Sequence, residues 1–159
     1  MIKISTKTRY AFRALLEIAC RNDRKYFSLG ELSRHQNISR KYLENIFGVL
    51  RKKGIVSSRI GKNGGFYLSE DIESISILRI LEALEGEIDI VNCKTNRRIC
   101  DRIMFCPAKG IWQELNATIK KTLASKNLKD LSRKKEIQEK CFYVLSRGER
   151  KPKSSRRRG

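Results

Sequence analysis

Two helix starts set close together constrain this chain more than any other feature. Ser28-Leu29-Gly30-Glu31 is a capping box: a serine oxygen placed to accept the free amide three residues on, and a glutamate placed to reach back. Phe27 and Leu32 supply the hydrophobic staple around it. This predicts a short helix over about 29–36. Asn37-Ile38 breaks that helix, and Ser39 caps a second one over about 40–53, stapled by Ile38 and Leu43 and ended by Gly54. Two capped helices joined by so short a turn form a helix-turn-helix.

The second helix has two unlike faces. Leu43, Ile46, Phe47 and Leu50 are apolar; Arg40, Lys41, Glu44, Asn45, Gly48, Arg51 and Lys52 lie opposite. A merely solvated face mixes its charges, whereas this one is basic with one acid and one amide. That suits a recognition helix, whose first residues reach base edges while Arg and Lys hold phosphates. Two β-prone runs follow, 55–60 and 66–68, around Gly61-Lys62-Asn63-Gly64-Gly65. They predict a hairpin, the wing of a winged helix, with Lys62 and Asn63 at a tip that meets the DNA backbone or minor groove.

The remaining elements follow from periodicity. A helix over 6–22 carries Ala11, Ala14, Leu15 and Ile18 on one stripe after a basic start (Lys3, Lys7, Arg9), with Cys20 off the stripe. Ser76 caps a helix to about Glu85, stopped by Gly86. From Pro107 to about Lys126 a longer helix carries Ile111, Trp112, Leu115, Ile119 and Leu123. That stripe exceeds what one small wing module covers, and it reads as a dimer helix, with packing on its own domain as the alternative. Residues 128–146 read as a short turn and a final helix with Ile137, Cys141, Val144 and Leu145 on one side. The expected fold is mainly α with a small β wing: a winged helix-turn-helix plus a long dimerisation helix. Its divisions are a DNA-binding domain over 1–86, a cysteine loop over 87–107, dimerisation and C-terminal helices over 108–146, and a disordered basic tail over 147–159.

Charge narrows the class. The 159 residues include 36 Lys and Arg against 17 Asp and Glu, a formal net charge of +19, which calls for a polyanionic partner, nucleic acid first. The tail alone carries Arg147, Arg150, Lys151, Lys153, Arg156, Arg157 and Arg158 against Glu149. No apolar run is long enough to span a bilayer and no apolar signal segment opens the chain, so a cytoplasmic, reducing setting is expected. There is no Walker-type loop, no metal-ligand histidine pair and no nucleophile beside a base. An enzyme, or a small-molecule substrate, is not expected.

Three of the five cysteines, Cys93, Cys100 and Cys106, fall in one stretch with gaps of six and five residues. Pro107 suits the first position of a helix, so the positive end of that helix would favour a thiolate at Cys106. Three gathered thiols suit an iron–sulfur cluster or a zinc ion. Plain core cysteines are the alternative, though Lys94, Arg97, Arg98 and Asp101 around them make a poor core. An odd number of thiols in a reducing compartment speaks against disulfides.

Over about 1–135 the chain resembles the IscR/NsrR-type family of bacterial winged-helix regulators, many of which carry an iron–sulfur cluster. The resemblance rests on Thr6-Lys7-Thr8-Arg9-Tyr10-Ala11, Ile38-Ser39-Arg40-Lys41-Tyr42-Leu43-Glu44, Leu50-Arg51-Lys52-Lys53-Gly54, Gly61-Lys62-Asn63-Gly64-Gly65-Phe66, and the three-cysteine stretch running into Trp112. It implies a homodimer swapped across its long helices on a partly palindromic operator, with the state of the cluster setting DNA affinity. By the same resemblance Cys93, Cys100 and Cys106 are the metal ligands, to a [2Fe–2S] or [4Fe–4S] cluster, and Tyr42 and Glu44 sit at the DNA. The full expected DNA-contacting set is Lys7, Tyr10, Ser28, Ser39, Arg40, Lys41, Tyr42, Glu44, Asn45, Arg51, Arg59, Lys62 and Asn63.

Two departures from the family pattern stand out. Where some relatives have a ligating His after the third cysteine, this chain has Lys109. The first helix offers Thr8, Arg9, Tyr10 and Arg13 before its first acid, Glu17, so the fourth ligand is unassigned among Asp101, Asp89, Glu87 and an exogenous thiol. The sole histidine, His35, is expected at the surface. In the wing, Ile60 stands where the family has a basic residue, and Arg59, one earlier, faces the other way. The competing readings are a cluster-free regulator using its thiols for zinc or a redox disulfide, and a sequence-nonspecific nucleic-acid-binding protein.

Overall fold

The structure is a computed structural model that describes residues 4–21, 26–61, 64–89 and 105–133. Helix α1 (Thr6–Cys20) opens at Ser5, whose hydroxyl accepts from the Thr8 amide. Its predicted stripe is closed from water, together with one residue the pattern did not assign there: Glu17, 1% exposed. An isolated carboxylate at that depth would be costly. Its oxygens instead meet His35 Nδ1 at 2.5 Å, Gln36 Nε2 at 2.7 Å and Arg21 Nη1 at 3.7 Å. His35 is therefore not the surface residue expected. The buried acid draws it in, leaving its side chain 10% exposed.

In α2 (Leu29–Gln36) the Ser28 hydroxyl caps the Glu31 amide at 3.1 Å, and the Glu31 carboxylate accepts from Arg21 at 2.9 Å. Asn37 ends it at φ 53° and ψ 49°, the only non-glycine among the described residues with positive φ. Asparagine tolerates this left-handed setting better than most residues. It swings the chain into α3 (Arg40–Lys52), capped by Ser39 on the Tyr42 amide. The turn is closed by Ile38 N to Ser33 O at 3.1 Å and Ser33 Oγ to Ile38 O at 2.6 Å. Gly54, at φ 68°, stops α3 while the Ile55 amide reaches back to the Leu50 carbonyl at 3.0 Å.

The wing is the antiparallel pair β1 (Val56–Arg59) and β2 (Gly65–Leu68), registered from Val56 opposite Leu68 to Arg59 opposite Gly65. Phe27 adds a rung, exchanging both backbone hydrogen bonds with Phe66 at 2.9 Å. The Phe66 ring stands edge-on to Phe47 of α3, with centroids 5.0 Å apart. The wing is thus pinned to both helices of the helix-turn-helix.

Helix α4 (Ile77–Glu85) starts at the Ser76 cap and buries Ile77, Ile80, Leu81 and Leu84. Helix α5 (Lys109–Ala124) begins two residues later than Pro107 had implied. Residues 107 and 108 form a turn held by Lys109 N to Cys106 O at 3.2 Å, so the first amide of α5 is taken up by the Cys106 carbonyl. Short α6 (Leu128–Ser132) carries an Asn127–Asp130 capping box and returns to the first module: Leu128 is fully buried in the core beside Ile75, and its amide bonds the Ile75 carbonyl at 3.0 Å. Residues 134–159, holding the expected final helix and the basic tail, lie outside the described residues.

Two glycines separate backbone demand from free space. A Cβ on Gly65, at φ 153°, would stand 2.7 Å from the Phe27 carbonyl oxygen, while one on Gly48 would meet nothing within 4 Å. Gly65→Ala is expected to cost about 1–3 kcal/mol. Gly48→Ala is expected to add about 0.5–1 kcal/mol by helix propensity. Urea midpoints at unchanged m-value measure both.

Candidate nucleic-acid interface

Leu43, Ile46, Phe47 and Leu50 are all 0% exposed, and this burial turns the opposite side of α3 outward. Arg40, Lys41, Tyr42, Glu44, Asn45, Arg51 and Lys52 are all exposed on that helix. Its first turn holds no acid, so the amide ends and two cations face an incoming anion together. Arg40 Nε lies 3.1 Å from Glu44 Oε1 with both side chains well exposed. Such a pair is worth only about 0.3–0.5 kcal/mol and exchanges readily for a phosphate. Ser28 and Ser39 spend an oxygen lone pair on their caps, and each hydroxyl proton stays available to donate.

Helix α1 brings its own residues to the same place. The Tyr10 ring stands edge-on to Tyr42, centroids 5.8 Å apart, and the Arg13 guanidinium lies 5.4 Å over Tyr10. Arg13 also donates to Gln36 Oε1 at 3.1 Å, tying this aromatic pair to the end of α2. Lys7 lies one turn earlier, half-buried. At the far end of α3, Arg51 Nη1 reaches Ser58 Oγ of the wing at 3.3 Å. Arg59 turns towards Tyr26, with its Nη1 3.2 Å from the phenol oxygen and its carbon 5.5 Å over the ring; Tyr26 in turn stands edge-on to Tyr67 at 5.4 Å. The Tyr26 hydrogen bond pushes the Arg59 pKa further up, so its charge is permanent. Lys62 and Asn63 lie outside the described residues.

Of the three clustered cysteines, Cys93 and Cys100 also lie outside the described residues, as does Asp101. Cys106 is described as a half-buried free thiol. Glu87 and Asp89 both face Lys120 of α5, at 3.5 and 3.4 Å. No group of three His, Cys, Asp or Glu side chains placed to hold a metal occurs among the described residues.

Glu85, at the end of α4, was not expected to matter. Its Oε1 accepts from the Ser5 amide at 3.0 Å, from Ser5 Oγ at 2.6 Å and from the Thr8 hydroxyl, so it sits at the positive end of α1. Burial alone would raise its pKa; the hydrogen bonds from Ser5 and Thr8 and the charge of Lys7 prevail and lower it. Arg13, Tyr26, Tyr67 and Glu85 are the residues that sequence reasoning missed. Each acts through a partner remote in sequence, which no local pattern reports.

Comparison with known proteins bears on what this surface serves. A family model described as Rrf2, an iron-dependent transcriptional regulator, matches residues 4–134. Protein rrf2 of Nitratidesulfovibrio vulgaris is 34% identical over 132 residues, 83% of this chain and 88% of the relative. Among solved structures, CymR, the global cysteine regulator of B. subtilis, matches with a TM-score of 0.68 at 31% identity, covering 83% of this chain and 97% of that one. IscR of T. potens matches with a TM-score of 0.64 at 30% identity, covering 82% and 85%. No described helix is long and apolar enough to cross a membrane.

The Glu85 contact yields a pH test. Its lowered folded pKa means that the unfolded chain takes up the proton first, so the stabilisation holds above the ordinary 4.5 and fades as pH falls below it. Glu85→Gln is expected to lose no more than about 1 kcal/mol near neutrality, because water screens this exposed group. The variant should also show a flatter decline of stability between pH 4.5 and 3. Urea unfolding across that range checks both.

Proposed function

Because the chain belongs to the Rrf2 family of helix-turn-helix transcriptional regulators, we propose that it acts as a homodimer on a partly palindromic operator, with its grip on DNA gated by an iron–sulfur cluster on Cys93, Cys100 and Cys106. That it is a DNA-binding regulator and not an enzyme follows from the family. The observation that carries the DNA-reading part is α3, with one face shut in the core and a basic face left to water. On this reading Lys41, Tyr42, Glu44 and Asn45 face base edges. Lys7, Ser28, Ser39, Arg40 and Arg51 hold phosphates, Tyr10 supports Tyr42, and Arg59, Lys62 and Asn63 serve from the wing.

Dimerisation is supported by α5, none of whose residues is fully buried: Trp112, Ile119 and Leu123 are half-buried, while Ile111 is 57% and Leu115 40% exposed. A second copy covering that stripe would bury it and set two recognition helices about 34–36 Å apart, one turn of DNA. On this reading the chain divides into a DNA-binding domain over 1–86, a cysteine loop over 87–107, dimerisation and C-terminal helices over 108–146, and a basic tail over 147–159. The tail adds salt-sensitive, sequence-independent affinity in the cytoplasm.

The cluster reading is supported by donor chemistry: three thiols on one stretch, of which Cys106 is a half-buried free thiol next to α5. Bound there, an iron–sulfur cluster supplies reactivity towards oxygen and nitric oxide that side chains lack. The chain's own residues transmit the consequence. Glu85 holds the end of α4 to α1, and Lys120 of α5 holds Glu87 and Asp89, so reshaping the stretch between them shifts α5 against the DNA-facing helices. A second reading, favoured by the likeness to CymR of Staphylococcus aureus, whose structure is known in an oxidized form, keeps the DNA module and gives the thiols a zinc ion or a redox disulfide.

Anaerobic purification is expected to give a brown protein with a visible charge-transfer band, iron and sulfide, and Cys106→Ser to lose that band. A colourless, iron-free protein holding zinc would favour the second reading. Arg40→Ala should weaken binding and make the slope of log affinity against log salt shallower by about 0.9, measured by titration with labelled duplex.

A further inference from the structure

Ile60 is 98% exposed, more than any other large hydrophobic side chain among the described residues. It follows β1 directly and precedes Gly61, whose φ of 129° starts the wing turn. Water gains nothing from an isoleucine there, whereas covering one is favourable. Its polar neighbours are engaged elsewhere: Ser58 with Arg51 of α3, and Arg59 with Tyr26. Ile60 thus offers an apolar group at the exposed end of β1, on a strongly basic protein, in a wing that Arg51 ties to the recognition helix.

Resting on the DNA-reading function above, we propose that Ile60 is a specificity-determining contact that enters the minor groove next to α3 and lies against sugars and A·T base edges. With α3 in the major groove, the wing tied to its last turn by Arg51 and Ser58 stands to one side, over the neighbouring minor groove. An A·T pair presents only acceptors and a smooth floor there. A G·C pair adds the guanine amino group, a donor that an isoleucine obstructs and cannot satisfy. Apolar side chains of this kind serve as minor-groove wedges. The contact releases no counterions, so its contribution is indifferent to salt.

The test uses the full chain, purified anaerobically, with a binding sequence selected by that protein from random duplexes and the wing-covered positions located by hydroxyl-radical footprinting. Duplexes differing only there carry A·T, inosine·cytosine or G·C, since inosine keeps the major-groove face of guanine but lacks its minor-groove amino group. The expected result is equal binding to A·T and inosine·cytosine, and about tenfold weaker binding to G·C. Ile60→Ala should bring that discrimination within twofold and weaken A·T binding about three- to tenfold at unchanged salt slope. Ile60→Arg should steepen the salt slope by about 0.9. Discrimination retained by Ile60→Ala overturns the proposal. So does inosine·cytosine behaving like G·C, or a changed oligomeric state of Ile60→Ala in sedimentation. Full-length protein that selects no sequence at all defeats the DNA-reading function itself, a distinct failure.

Discussion

Four side chains of α3 closed from water give that helix a single rotational setting. Leu43, Ile46, Phe47 and Leu50 pack among Leu15, Leu32, Ile55 and Ile80, and turning the helix by one residue would expose an apolar side chain and bury a charged one. The cost of burying an unpaired Lys or Arg is far larger than any gain from rearrangement. The basic face is consequently presented before DNA arrives, and the wing is presented with it, because Phe66 touches Phe47 while sharing backbone bonds with Phe27.

Polar contacts then decide how the surrounding helices sit. Glu17 is buried in α1 and satisfied by His35 and Gln36 of α2, with Arg21 alongside; Glu85 leaves α4 and binds the start of α1. A buried carboxylate with directional partners tolerates less sliding than an apolar contact does, since each bond lost leaves a polar group unsatisfied. α1 is thereby clamped at both ends, which holds Tyr10 against Tyr42. Helix α5 is different: none of its residues is fully buried, Trp112, Ile119 and Leu123 are only half-covered, and its ion pairs through Lys120 run to the residues just after α4. An element so lightly held within one chain is the one that a change in the neighbouring cysteine stretch, or a second subunit, can reposition at least cost.

Local chemistry made most of the DNA-facing module readable. Ser28, Ser39 and Ser76 act through amides three residues away, and Gly54 and Gly86 stop helices through their own backbone freedom, so caps and stops can be read from short words of sequence. The two faces of α3 were legible for the same reason, a repeat contained within one helix. Less legible were groups acting across the fold. His35 carries no mark of its acid in α1, Pro107 gave no sign that a turn would precede α5, and Arg59 gave none that Tyr26 would hold it.

By itself the sequence determined the kind of protein: a winged helix-turn-helix with a basic reading face, because caps, turns and amphipathic stripes are short-range properties written in consecutive residues. Only the tertiary structure decided the rest. It buried Glu17 with His35, joined Glu85 to α1, sent Leu128 back into the core and left Ile60 bare at the wing. Those outcomes depend on which distant side chains meet, and such meetings are set by the packing of the whole chain.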